Sequence, residues 1–269
     1  MESSSPPTIL ILGLDREVYN TDLLNALRSR AEVITASTKA EALSFLAEST
    51  PRAVLVTDTA LARGEYRDVC DLLCGYVQRG GIVIMCCSFS SFISATDFNS
   101  WIRQRWGFGW TFGDYHRTDF HLNPTAESVC RKPGLLPAYS MKAVSLKGVD
   151  EKSKVYQPTA SSITQSRVFS PEHVGDLTQA AVVYQKVDQG WLGYVGDVNY
   201  EVGSTAVILA LCGLTDDACC FACHAGADGV DMPLMKCARC RDAMYCSRKC
   251  QRDDWKRHKV VCVAPAAAG

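Results

Sequence analysis

Eight side chains of metal-ligand type fall in four pairs near the C-terminus: Cys220-x2-Cys223, Cys237-x2-Cys240, Cys246-x3-Cys250 and His258-x3-Cys262. Thiolates and imidazoles are the usual ligands of structural zinc, and four pairs suffice for two tetrahedral sites. A two-residue spacer lets both thiolates of a pair reach one ion from a tight turn. A three-residue spacer sets two ligands one helical turn apart on a shared face. The competing reading is a set of buried or disulfide-bonded cysteines. Eight of the 14 cysteines lie between 219 and 262, already paired at ligand spacing and joined by one histidine, which points to zinc. So short a segment cannot fold on its apolar burial alone, whereas structural zinc supplies about 10–16 kcal/mol of apparent binding free energy.

A second set of chemically capable residues lies earlier. Cys86-Cys87-Ser88 follows an apolar run, at the strand end where sheets of parallel strands bind their ligands. A Cys87 thiol activated by His116 or His121, with Asp114 or Asp119 orienting the imidazole, would make a nucleophile. Against this, Cys87 is followed by Ser88-Phe89-Ser90 rather than by small residues, and cysteines at a strand end usually pack as small hydrophobes. Asp197, Asn199 and Glu201 form a polar cluster at another strand end. They either complete a ligand pocket or cap the helix that starts near Ser204. Cys70 and Cys74, four apart on a helix, read as structural thiols, and Cys130 and Cys212 have no visible partner. Gly107-x-Gly109 lacks the strand-before, helix-after context of a dinucleotide site.

The elements that must position these residues are legible in outline. Thr8–Leu14, Glu32–Ala36, Ala53–Thr57 and Ile82–Cys86 read as buried strands. They alternate with helices over Asn20–Arg30, Thr38–Ala47, Tyr66–Arg79 and Ala95–Trp106. Such alternation predicts an α/β fold with a mostly parallel, doubly wound sheet, but by itself does not separate the many folds of that kind, the flavodoxin-like among them. From Gly107 to Ser140 the pattern breaks into an aromatic, glycine-rich stretch, read either as a functional insert or as an irregular cap on the sheet. Strands return at Lys142–Val149 and Ala180–Val187. A turn at Asp188-Gln189-Gly190 joins the latter to Leu192–Val198 as a hairpin, and Ser204–Leu214 closes the region as an apolar helix. The boundaries drawn are 8–214 for the α/β domain, 220–262 for the zinc segment and 263–269 for a disordered tail.

The chain of 269 residues carries a net charge of −1, which gives no general attraction to nucleic acid or anionic membrane. From Cys220 to Cys262 there are nine Lys and Arg against five Asp and Glu. Seven thiolates and two zinc ions leave that segment near +1, too little for binding through phosphate contacts. No apolar run is long enough to span a bilayer. The first residues lack the basic and apolar regions of a secretory signal. With so many thiols at zinc spacing, the expected location is a reducing compartment, cytoplasm or nucleus.

With its ligands, Tyr245-Cys246-Ser247, Gln251, Trp255 and His258-Lys259, the stretch from Cys220 to Cys262 resembles a MYND-type zinc finger. Spacing alone also permits sequential pairing. The resemblance implies an interleaved arrangement, with Cys220, Cys223, Cys246 and Cys250 on one zinc and Cys237, Cys240, His258 and Cys262 on the other. Cys219 is the one possible substitute ligand, and His224 reads as a loop residue. The resemblance also implies that the module receives short proline-rich peptides, for which the matching positions are Ser247, Gln251 and Trp255. A helix over Gln251–Val261 would place Gln251, Trp255, His258 and Cys262 within an arc of about 60°. Trp255 then packs over the zinc core, lines a groove, or does both. Arg252, Lys256 and Lys259 make an adjacent basic stripe that is solvated or steers an acidic partner.

The order of elements over residues 8–214 resembles the class I glutamine-amidotransferase-like superfamily, nearest its ThuA-type branch. The residues that carry this are the early β-α-β units, Gly80-Gly81-Ile82-Val83-Ile84-Met85-Cys86-Cys87 and Gly190-Trp191-Leu192-Gly193-Tyr194-Val195-Gly196-Asp197. That superfamily places its nucleophile elbow where Cys87 stands. Its His-x-Glu pair is missing, because the corresponding region reads Gly196-Asp197-Val198-Asn199-Tyr200-Glu201. The leading expectation is therefore an interaction protein whose two-zinc finger docks a protein partner through a short proline-rich peptide. The alternative is a cysteine-dependent hydrolase or amidotransferase-like enzyme using Cys87.

Overall fold

The structure is a computed structural model that describes residues 6–16, 20–126, 135–166, 168–215, 220–222, 234–241, 243–259 and 262. Cys130, Cys219, Cys223, His224 and the tail 263–269 lie outside the described residues.

The first strand, β1 (Thr8–Leu12), is buried from its second residue onward. An apolar run without polar alternation suits a strand covered on both faces. Helix α1 (Thr21–Arg28) follows, capped by Asn20, whose side chain accepts from the Leu23 amide at 3.0 Å. Strand β2 (Glu32–Ala36) leads into α2 (Lys39–Glu48), where Thr38 and Glu41 form a reciprocal capping box. Then come β3 (Ala53–Val56), α3 (Arg67–Gln78) and β4 (Ile82–Met85). The chain turns sharply through Cys86-Cys87 into α4 (Ser88–Phe92) and α5 (Ala95–Trp106). Gly107 ends α5 in the left-handed region, at φ 73°.

The stretch expected to be irregular is instead a 12-residue strand, β5 (Thr111–Leu122), paired along its length with β6 (Ala138–Lys147). Its register shifts between Phe112 and Tyr115, and only Thr118 and Phe120 are fully buried. The two-residue alternation that identifies a strand is therefore absent. A four-residue strand, β7 (Lys154–Gln157), is too short to stand out in the sequence. The hairpin is where it was expected, as β8 (Val182–Val187) and β9 (Gly190–Val195), and α6 (Val202–Leu211) follows.

The nine strands form one mixed sheet in the order β2-β1-β3-β4-β9-β8-β7-β5-β6. The five from β2 to β9 are parallel to their neighbours, in the order of the doubly wound flavodoxin-like arrangement. The other four run antiparallel. Alternate residues of β1 serve opposite faces. Ile9 and Ile11 pack with Leu23 and Leu27 of α1 and Val207 and Leu211 of α6, while Leu10 and Leu12 pack with Val69 and Leu73 of α3 and Phe98 of α5.

Strand β6 is hydrogen-bonded on both sides. Beyond its pairing with β5, the Val144 amide donates to Gly196 O at 3.0 Å, and Leu146 and Ala180 exchange bonds of 2.8 and 2.9 Å. The antiparallel half thus curls back on the end of β9 and has no free edge at β6. Position 196 must be glycine, because a Cβ there would collide with the Val144 carbonyl. Near the C-terminus, β10 (Met235–Lys236) and β11 (Met244–Tyr245) form a two-stranded ribbon, and α7 (Arg248–His258) follows.

Candidate metal centre and the groove beside it

The ribbon and α7 gather the C-terminal ligand-type side chains into two clusters. Cys237, Cys240, His258 and Cys262 have donor atoms within 4.8 Å of one another, all buried. Cys220, Cys246 and Cys250 make a second group within the same limit. Pairs two and four of the sequence meet in one cluster, and pairs one and three in the other as far as they are described. Sequential neighbours are not grouped.

Two local devices set the ligand positions. Cys237 begins a turn in which its amide donates to Ala243 O at 2.7 Å, and its carbonyl accepts from Arg241, which sits at φ 62°. This turn folds Cys240 back beside Cys237. At the other end, Ser247 caps α7 by accepting from the Cys250 amide at 3.1 Å, so the helix starts between Cys246 and Cys250. The helix stops at His258, earlier than the sequence suggested, and Cys262 reaches its cluster from beyond the helix end.

The separations suit a tetrahedral ion. Cys237 Sγ lies 3.7 Å from Cys262 Sγ, and His258 Nε2 lies 3.3 Å from Cys237 Sγ and 3.5 Å from Cys240 Sγ. Ligands about 2.3 Å (sulfur) and 2.0–2.1 Å (nitrogen) from a zinc ion would be roughly 3.8 Å apart along a sulfur–sulfur edge and roughly 3.6 Å along a sulfur–nitrogen edge. Cys246 Sγ and Cys250 Sγ, at 3.4 Å, are also far outside disulfide bonding distance.

The electrostatics agree with a metal site. Burial pushes the Cys237 thiol up, but donation from the Cys240 and Arg239 amides, with His258 and Cys262, outweighs it and brings the thiol down to about 6. Burial and the neighbouring Cys237 and Cys240 sulfurs push Cys262 up to about 11. Sulfurs this close cannot all ionise without a cation between them, and zinc both requires and permits that ionisation.

Sequence reasoning missed a buried strut. Tyr245 is fully buried and donates to Asp254 Oδ2 at 2.8 Å, Asp254 itself being 5% exposed. The Tyr245 ring also lies edge-on to His258, with centroids 6.1 Å apart. This pair ties β11, which leads into Cys246, to α7, which carries Cys250 of one cluster and His258 of the other. An acid four residues before His258 was visible in the sequence, but nothing showed that it turned inward.

Outside the strut, α7 presents an open groove of about 420 Å³ lined by Arg248, Gln251, Arg252 and Trp255. Trp255 is 43% exposed and has its ring 6.1 Å from that of His258. One side of the indole therefore borders the metal cluster while the other is open. Gln251 and Trp255 line the groove, and Ser247, half-buried before the start of α7, caps the helix with its hydroxyl.

The candidate catalytic residues are not assembled. Cys87 is 5% exposed and its Sγ hydrogen-bonds to Cys86 Sγ at 3.7 Å. Among the described residues no hydrogen bond links it to His116 or His121. The His116 ring stacks on Phe120, its Nε2 is buried without a partner, and desolvation lowers its pKa. Asp197 accepts from the Asn199 and Glu201 amides at 2.8 and 2.7 Å, bracing the turn into α6, and Glu201 pairs with Arg117. Cys70 and Cys74 donate to the Leu61 and Arg105 carbonyls and are structural.

Residues 220–262 match the family model of the MYND finger. This is a zinc-binding, protein-interaction module, with two clusters that fit two zinc ions. The chain as a whole is thus a mixed-sheet α/β protein carrying a MYND finger. It is 34% identical over 103 residues to N-lysine methyltransferase SMYD2 of Mus musculus, covering 38% of this chain and 18% of that one. It is 55% identical over 29 residues to Egl nine homolog 1 of Homo sapiens, covering 11% and 7%. The chain spans less than a fifth of the length of either, and the activity named for SMYD2 belongs to that protein. Among solved structures, a ThuA-like protein of Bacteroides uniformis covers 78% of this chain and 92% of its own, at 10% identity and a TM-score of 0.45. So distant a likeness carries no argument; the fold rests on the strand order itself. Among the described residues no helix is long and apolar enough to cross a membrane.

Proposed function

We propose that this chain is a zinc-dependent interaction protein whose finger docks a short proline-rich segment of a partner on α7. In this reading Cys220, Cys223, Cys246 and Cys250 hold one zinc, and Cys237, Cys240, His258 and Cys262 hold the other. The observation that carries it is the half-exposed Trp255 lining an open groove beside the His258 cluster. An aromatic-walled groove suits a polyproline helix, which is preformed and loses little entropy on docking. The metal ties Cys250 and His258 of α7 to Cys246 and to Cys237 beside the ribbon, and so holds the groove's one wall in place. Because the ligand thiols must stay reduced, the protein works in cytoplasm or nucleus on this reading. Titrating the zinc-loaded full chain into fluorescein-labelled proline-rich peptides tests the proposal. Saturable binding that disappears on chelation is expected, and no saturable binding to the zinc-loaded chain would refute it.

A second reading rests on one observation. Cys87 adopts φ 58° and ψ −126° at the turn from β4 to α4, a strained conformation for a side chain other than glycine. Such strain clusters at functional sites. A cysteine-dependent hydrolase or amidotransferase-like activity would use this thiol. Alkylation of Cys87 at pH 7 faster than that of buried Cys70 and Cys212 would favour it, and equal inertness would remove it.

A further inference from the structure

We propose that the segment docking on α7 is acidic as well as proline-rich, with carboxylates set beside the residue that meets Trp255. The inference rests on the docking role just described and adds the charge of the partner.

The groove pairs one aromatic wall with two guanidinium groups, Arg248 and Arg252. Both arginines are exposed, and no carboxylate among the described residues lies within ion-pair reach of either. The helix carries two acids, and both are engaged elsewhere. Asp253 pairs with Lys249 at 3.0 Å, and Asp254 turns inward to Tyr245. Lys249 is thereby compensated, while the charge facing the groove has no compensating carboxylate among the described residues. A guanidinium is a planar fork that matches a carboxylate bidentately, so two uncompensated arginines beside an indole define both the sign and the shape of the group they receive.

Helical geometry sets the spacing of that partner. Arg248 and Arg252 lie one turn apart on a shared side, about 6 Å along the axis, and Trp255 lies about 4.5 Å further on. A polyproline helix lying along α7 rises about 3.1 Å per residue with three residues per turn. Acidic residues two apart therefore match the arginines in axial spacing and lie on two adjacent faces, which the long arginine side chains can reach on either flank. A proline one or two residues beyond them then falls at Trp255. The segment is therefore Asp/Glu-x-Asp/Glu followed or preceded, according to chain direction, by proline. A neutral proline-rich segment would leave the arginines facing water, and a basic one would be repelled.

Four labelled peptides of equal length, titrated against the zinc-loaded full chain at low and high salt, test this. One is proline-rich and neutral. The second carries Glu-x-Glu beside the proline pair, the third carries Lys-x-Lys there, and the fourth has Glu-x-Glu but no proline. Two partly exposed ion pairs of ordinary strength predict that the second binds roughly three- to tenfold tighter than the first at low salt. The advantage should shrink as salt rises, and in R248E/R252E the acidic-to-neutral ratio should fall to one or below. The third and fourth should bind more weakly than the second. Equal binding of neutral and acidic proline-rich peptides would overturn the acidic preference alone. Equal binding of the second and fourth would overturn the pairing of charge with proline. Absence of saturable binding by any peptide would overturn the docking reading together with this one.

Discussion

Tyr245, Asp254 and Trp255 show how much of the finger is decided by single side chains. The apolar content of the finger is small. Among the described residues its buried apolar set is mostly ligand cysteines, with Ala243 and Tyr245. In so slight a core one buried hydrogen bond is a large share of the stability not due to metal. Tyr245→Phe keeps the ring against His258 but removes the donor to Asp254 Oδ2. The expected cost is about 1–3 kcal/mol, read as a lower chelator concentration at half-release of zinc and a lower melting point of the finger. An unchanged release curve would show that the strut is dispensable. The strut was not legible in the sequence, because Asp253 and Asp254 look alike there. Helical phase separates them, sending one to Lys249 in solvent and the other beneath the helix.

At the scale of elements, α7 is the one on which ligands and groove converge, and its start is fixed by Ser247. The resemblance implies a peptide contact for this serine, and in the structure its hydroxyl accepts from the Cys250 amide. Ser247→Ala should cost about 0.5–2 kcal/mol of helix stability and weaken peptide binding indirectly, with zinc still bound. Circular dichroism and titration on one sample separate the two effects. Loss of binding with α7 helicity unchanged would show a direct contact for Ser247. The elements best read in advance were those with a single strong period. Ala95–Trp106 has the boundaries its sequence suggested, as does Glu32–Ala36. The 12-residue β5 was missed because its register shift and its half-buried faces erase alternation. The end of α7 was placed too late for a related reason. The His258-x3-Cys262 spacing fits a helix turn, but Cys262 joins its cluster from outside the helix.

For the molecule as a whole, the α/β part and the finger depend on different forces. The nine-stranded sheet is covered by two apolar layers, whereas the finger depends on its ligand clusters. Cys246→Ala removes one ligand from the Cys220 cluster and detaches β11 from the start of α7. We expect the zinc-dependent transition to be lost while the α/β transition keeps its midpoint, since metal binding is folding free energy only for the segment that holds the metal. Differential scanning calorimetry checks this. An equal drop in both transitions would show that they are one cooperative unit. The class of fold and the two-zinc finger were readable from residue type and spacing. The disposition of Cys87, His116 and Asp197 was not, since it depends on how the antiparallel half curls back on β9.

Native mass spectrometry of the intact chain, mixed with a proline-rich peptide, reads zinc count and peptide occupancy on the same molecule. The central claim is that two zinc ions hold α7 so that Trp255 can receive the peptide. It predicts that peptide appears only on the species carrying two zincs, that chelation removes both together, and that Trp255→Ala keeps two zincs and loses the peptide. Peptide bound to zinc-free chain, or undiminished on Trp255→Ala, would contradict it.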